Sequence, residues 1–222
     1  MIKIDDTVSF AVPEAALGVL KCRADVFKSG DGLLAEFDFL IQTLVQRYEL
    51  SSVSENPHVS ATRKAYKALG KDPSKYRNSA EAMLRRIAKG NGLYRINNAV
   101  DINNIVSISS GYSLGSYDLS AVRGEIVWKR APDGEKYSGI GKDVLNIEHL
   151  PALFDDEGVF GNPSADSRRT MIGEGEDETL LYVIFSFDGT AELDGLLTTL
   201  QHLLETHANG RDFERQIVRA AR

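Results

Sequence analysis

Between Arg63 and Arg95 the chain carries ten basic residues and two acidic ones, a net of +8 in a protein whose total is −6. Arg63, Lys67, Lys75, Arg77, Arg85, Arg86 and Lys89 stand out in this run as anion-binding candidates. A local positive face on an acidic body attracts phosphate-rich partners, and salt weakens that attraction. Just downstream, Ile96–Asp118 (INNAVDINNIVSISSGYSLGSYD) sets asparagines and an aspartate in an apolar frame and ends on a Tyr-Asp pair. The amides of Asn97, Asn103 and Asn104 can donate to a carbonyl or ribose oxygen, Asp101 and Asp118 can pair with an ammonium, and Ser113 and Thr170 can orient a water. Tyr117 would line such a site. Arg168 and Arg169, in Asp166–Thr170 (DSRRT), have the fork geometry that clasps a phosphate or carboxylate.

Each feature also has a purely structural reading, and on the residues alone both stay open. Cations in the last turn of a helix suit its dipole, Asp101 can simply cap a helix, and an Asp-Arg pair can end a surface strand. Gly111–Gly115 matches G-x-S-x-G, but a nucleophile elbow needs a strand before the serine and a helix after it. Here the preceding stretch reads as a helix, so a helix stop and tight turn is the leading reading and a Ser113 esterase the lesser alternative. Four histidines and one cysteine offer no metal-ligand spacing. Neither the dinucleotide fingerprint nor the Walker pattern occurs. No metal or cofactor is expected.

The elements that must position these residues follow from periodicity and punctuation. Strands are expected at Thr7–Val12 and Ala16–Cys22, then a helix at Leu33–Tyr48. A helix over Val59–Leu69 stops at Gly70. Asn78 caps a helix running to Lys89, with Glu81 placed to answer the cap. Asp101 would cap a helix over Ile102–Ser110. Short strands are expected at Glu125–Arg130, Val144–Ile147, Ala152–Phe154, Thr170–Ile172 and Leu180–Phe187, with turns at Asp155–Gly158 and an exposed acidic hairpin loop at Gly173–Glu178. A helix spans Ala191–His207, and the tail Arg211–Arg222 reads as helical. Helices gathered in the first half and strands through the second make one α+β domain over residues 1–222. With no stretch near the ~20 apolar residues of a membrane span, no signal sequence after Met1 and a lone Cys22, the expectation is a cytoplasmic protein.

Several segments taken together resemble the editing module of the bacterial phenylalanyl-tRNA synthetase β subunit, and more closely its free-standing single-domain relatives. They are Arg63, Ala65–Gly70 (AYKALG), Asp72–Arg77 (DPSKYR), Leu84–Ile87 (LRRI), Asn97 with Val100–Asn104 (VDINN), Gly115–Leu119 (GSYDL), and Phe160–Pro163 (FGNP) leading to Asp166–Thr170. The core of the likeness covers residues 60–190. It implies a compact α+β fold, a β-sandwich-like core with flanking helices. It also implies tRNA or aminoacyl-tRNA as partner and hydrolysis of a wrongly attached amino acid. No synthetase core is recognised in the chain, so it would act in trans, or bind tRNA without hydrolysis. The catalytic candidates are then Asn97, Asp101, Asn104, Ser113, Tyr117 and Asp118. In synthetase copies a histidine commonly stands two residues before the aromatic-Asp pair; here that residue is Gly115.

Overall fold

The computed structural model describes residues 2–141 and 144–220. In chain order the elements are β1 (Ile2–Ile4), α1 (Asp6–Ser9), β2 (Ala16–Val26), α2 (Asp31–Arg47), α3 (Pro57–Ala68), α4 (Ser79–Ala88), α5 (Asn98–Ser110), β3 (Ser113–Asp118), β4 (Ile126–Arg130), β5 (Lys136–Ser138), β6 (Val144–Asn146), β7 (Pro151–Asp155), β8 (Gly158–Gly161), β9 (Gly175–Ser186), α6 (Leu193–His207) and β10 (Arg211–Arg219). Two four-stranded sheets form, ordered β1-β4-β7-β8 and β10-β2-β9-β3, with β5-β6 as a separate hairpin.

The second sheet is the centre of the molecule because both of its faces are apolar. Side chains alternate across a strand. On β9, Leu180, Tyr182 and Ile184 therefore join the core built with α2, α4, α5 and α6, while Leu181, Val183 and Phe185 join the core shared with the first sheet. Strand β2 divides in the same way, Leu20 and Cys22 facing the helices and Leu17 and Val19 facing the other sheet. Burial on both faces is why β9 reads as a near-continuous apolar run. Between the sheets Trp128 is fully enclosed, its ring 5.8 Å from that of Phe185 and 5.4 Å from that of Phe187. The α+β, sandwich-with-helices reading holds.

Several local expectations fail, each for an identifiable reason. The acidic Gly173–Glu178 stretch is not a hairpin loop: Gly175–Glu178 opens β9 and pairs with the end of β2 at Ala24 and Val26. Thr7–Val12 is not a strand: Asp5 accepts from the Thr7 N–H (2.9 Å) and hydroxyl (2.6 Å), and this cap starts the short helix α1. The stretch after Gly111 is a strand rather than a turn. Gly111, at φ 90°, ends α5 in the left-handed conformation, and Ser113–Asp118 then pairs with β9. Arg168–Thr170 is a 3-10 turn capped by Ser167, not the start of a strand. The tail is β10 instead of a helix, pairing with β2 from Arg211 opposite Arg23 to Arg219 opposite Ala16. The last two residues of that expected helix lie outside the described residues.

The start of α3 is tied to the β9–α6 turn by His58. Its Nδ1 lies 2.7 Å from Asp188, its Nε2 lies 3.3 Å from Glu192, and its ring stacks on Tyr112 at 3.8 Å. Burial pushes the imidazolium's pKa down, but the hydrogen bond and charge of Asp188, then those of Glu192, outweigh it and hold His58 above its ordinary value. A raised histidine pKa gives stability that is full below the unfolded value of about 6.5 and is lost as pH rises through the folded value. Melting curves from pH 6 to 9 should therefore show the wild-type protein losing stability relative to His58→Gln. Parallel curves would exclude the clamp.

Candidate nucleic-acid interface

The basic run converges on one open cleft of about 780 Å³. One wall is the Lys75–Arg77 turn and the outward face of α4 through Arg85, Arg86 and Lys89. The opposite wall is Leu145–Ile147 and Leu150, and the floor is Asn162, Ser164 and Ala165. Five cations line it and, among the described residues, no carboxylate does. The spacing of α4 explains the wall. Ala80, Leu84 and Ile87 point into the fold, which leaves Arg85, Arg86 and Lys89 toward solvent.

Glu81, fully buried in the first turn of α4, organises the cations. Both of its oxygens accept from Arg63 Nη1 at 3.0 Å, Arg85 Nε donates to it at 2.8 Å, and Arg77 Nε stands 3.9 Å away. The carboxylate does not answer the Asn78 cap as the sequence suggested; only the Glu81 N–H meets Asn78 Oδ1, at 2.9 Å. Arg63 therefore faces the Glu81 seam, and it also donates to the Pro73 carbonyl. Lys67 is exposed on α3 outside the cleft lining. Arg168 and Arg169 do not line it either. Arg169 is a staple that donates to the fully buried side chain of Asp155 at 2.8 and 3.0 Å and to the Ala121 carbonyl at 2.9 Å. Burial raises the Asp155 carboxyl, but Arg169 and then the Arg123 N–H outweigh it and hold its pKa below the ordinary value.

The floor is held from behind by three tyrosines. Tyr66 bonds Ser164 (2.8 Å), Asn162 Nδ2 donates to Tyr137 (2.6 Å), whose hydroxyl also donates to the Ala165 carbonyl, and Tyr117 donates to Asp166 (2.8 Å). The Pro163 carbonyl accepts from the Ser79 N–H at 2.7 Å, joining this loop to the start of α4. Lys71, buried, lies 3.8 Å over the Tyr76 ring and within 3.5 Å of Asn146. Desolvation depresses its pKa, partly offset by Glu148. Asp166 is the residue sequence reasoning missed. Part of it reaches solvent, yet burial raises its carboxyl to about 7, opposed by hydrogen bonds from Tyr117 and the backbone at Asn162. Tyr117 was expected to line a site, but its partner, 49 residues away, was not readable from the sequence.

The structure does not bring the six catalytic candidates together. Asn97 caps α5 through the Val100 N–H, and Asp101 accepts from Ser29 (2.6 Å) and the Ile96 N–H. The expected cap, Asp101, lies inside the helix, which Asn97 begins instead. Asn104 accepts a long bond from Asn103, and Asp118 caps the 3-10 turn at Leu119–Ala121. Ser113 is fully buried, donating to Asn78 and accepting from the Ala80 N–H, and it follows a helix and begins a strand. That is the reverse of a nucleophile elbow. Tyr117 lies on the opposite face of the sheet from α5, in the core between the sheets. Its phenol covers Gly115 and Gly161 so closely that a Cβ at either would overlap it. The glycine in the histidine's place is thus the complement of Tyr117.

A model of the family described as the B3/4 domain matches residues 61–217. The phenylalanine–tRNA ligase beta subunit of Streptomyces avermitilis is 33% identical over 138 residues, 60% of this chain and 16% of that protein. That of Wolbachia sp. subsp. Brugia malayi is 29% identical over 69 residues, 31% of this chain and 9% of that protein. The chain thus matches less than a fifth of either relative's length. An N-terminal fragment of the phenylalanyl-tRNA synthetase beta subunit from Pyrococcus horikoshii aligns over 98% of this chain and 50% of its own, at 11% identity and a TM-score of 0.46. Among the described residues, no helix is long and apolar enough to cross a membrane.

Proposed function

Because the chain belongs to the B3/4 domain family, we propose that it binds tRNA through the basic cleft and, acting in trans, hydrolyses the ester of a mischarged aminoacyl-tRNA. The observation that supports binding is the cleft itself: among the described residues, five cations, no carboxylate and an aromatic Tyr76 on one concave surface. Cations in that arrangement displace the counterions of a nucleic acid. In the hydrolysis, a water oxygen bonds to the ester carbonyl carbon, the bond from that carbon to the ribose oxygen breaks, and the water's proton passes to the ribose. An aminoacyl ester is already activated, so orienting that water supplies much of the catalysis.

A second reading, a non-catalytic tRNA-binding module, is favoured by the polar lining of the cleft. Asn146, Asn162 and Ser164 are already bonded to Glu148, Tyr137 and Tyr66. Two measurements separate the readings. With about four cations engaged, tRNA affinity should fall roughly 100-fold between about 50 and 200 mM salt; a flat response removes the cleft from the argument. A panel of mischarged tRNAs should include one deacylated faster than in buffer. A silent panel with binding intact leaves the module.

A further inference from the structure

The cations of the cleft are not equivalent. Arg85 and Arg77 share the Glu81 carboxylate, and Arg85 Nη1 also donates to the Leu50 carbonyl at 3.2 Å. Among the described residues Arg86 has no acidic partner. Its guanidinium carbon lies 4.5 Å from the Tyr94 ring centroid, and its hydrogen bond there, Nη2 to the Asn91 carbonyl, is long at 3.5 Å. Its Nε is shielded from water and has no acceptor among the described residues. A guanidinium held over a ring, with no carboxylate partner among the described residues, keeps its terminal N–H groups for two oxygens of one phosphate, while the shielded Nε stays out of that contact.

We propose that Arg86 is the phosphate-gripping residue of the cleft: it takes two oxygens of one phosphodiester of the bound RNA, with Tyr94 fixing the plane of its guanidinium. Lys89, on the same wall, adds charge without geometry. This rests on the tRNA reading, and the test keeps the two apart.

Binding of tRNA and of inorganic pyrophosphate is measured at fixed salt for wild type, Arg86→Ala, Arg86→Lys and Lys89→Ala, each first shown to be folded by its melting curve. Arg86→Ala should weaken tRNA binding about 10-fold or more, and Lys89→Ala less than about fivefold. Arg86→Lys should stay weak because an ammonium lacks the fork. Pyrophosphate should compete with tRNA on wild type and bind poorly to both Arg86 variants. If Arg86→Ala matches wild type, or Arg86→Lys restores full affinity, the phosphate grip is wrong while tRNA binding stands. If wild type ignores tRNA but holds pyrophosphate through Arg86, the grip stands and the tRNA reading falls. If wild type binds neither, both fall.

Discussion

Replacing Glu81 with alanine is expected to cost the fold about 3 kcal/mol. Its carboxylate is fully buried, whereas the side chains of the two arginines bonded to it, Arg63 and Arg85, are 23% and 25% exposed. Removing one partner of a buried ion pair costs roughly 3–5 kcal/mol because the other charge stays behind unpaired. Partial access to water places this case near the lower bound. Glu81→Gln keeps the shape and an acceptor for one arginine, so it should lose less, about 2 kcal/mol. Urea titrations of both variants measure this as a lower midpoint at unchanged slope. A loss under about 1 kcal/mol for Glu81→Ala would mean that the arginines are held by solvent and carbonyls instead.

Glu81 also shows how far the sequence could be read. Most of the longer helices were legible because they carry their period and their stops: Asn78 and Gly111 behave as cap and terminator, and Leu193–His207 falls within the expected span. The gathering of the cations was legible as charge, and five of the seven chosen from the basic run do line one cleft. What the sequence did not carry is pairing over long separations. Glu81 looked like half of a capping box because its neighbour in sequence is Asn78, but Arg63, 18 residues away, offers a charged donor that a backbone N–H does not match. The tail looked helical because strand β10 is mostly exposed and lacks a clean apolar face; only the open edge of β2 makes it a strand. Arg169 looked like an anion clasp because its partner Asp155 precedes it by 14 residues. Asparagines in an apolar frame looked like a pocket floor, but Asn98, buried among them, closes backbone groups of Phe27, Asp25 and His207, again over long separations.

Asp166→Asn is expected to stabilise the protein at pH 8 and leave it nearly unchanged near pH 4. The Asp166 carboxyl rises from an ordinary 3.8 to about 7 in the fold. Between those values the folded state keeps a proton that the unfolded chain has released, so stability falls as pH climbs from about 4 to about 7 and the full cost is present above that. At about 1.4 kcal/mol per pH unit the cost would be about 4.5 kcal/mol, and partial exposure of the residue reduces it to about 2 kcal/mol. Asparagine keeps the oxygen that Tyr117 donates to, at 2.8 Å in the wild type, so the substitution removes the charge and leaves the bond. Urea titrations at pH 5 and pH 8 decide it: a gain that is the same at both pH values would show that burial does not strain this carboxyl. A carboxyl whose pKa burial raises to about 7, two residues along the chain from Ser164 in the cleft floor, is a functional-site candidate on that ground. Under the deacylase reading Asp166→Asn should flatten the pH profile of hydrolysis while tRNA affinity holds. A profile that keeps its shape would confine Asp166 to supporting the floor.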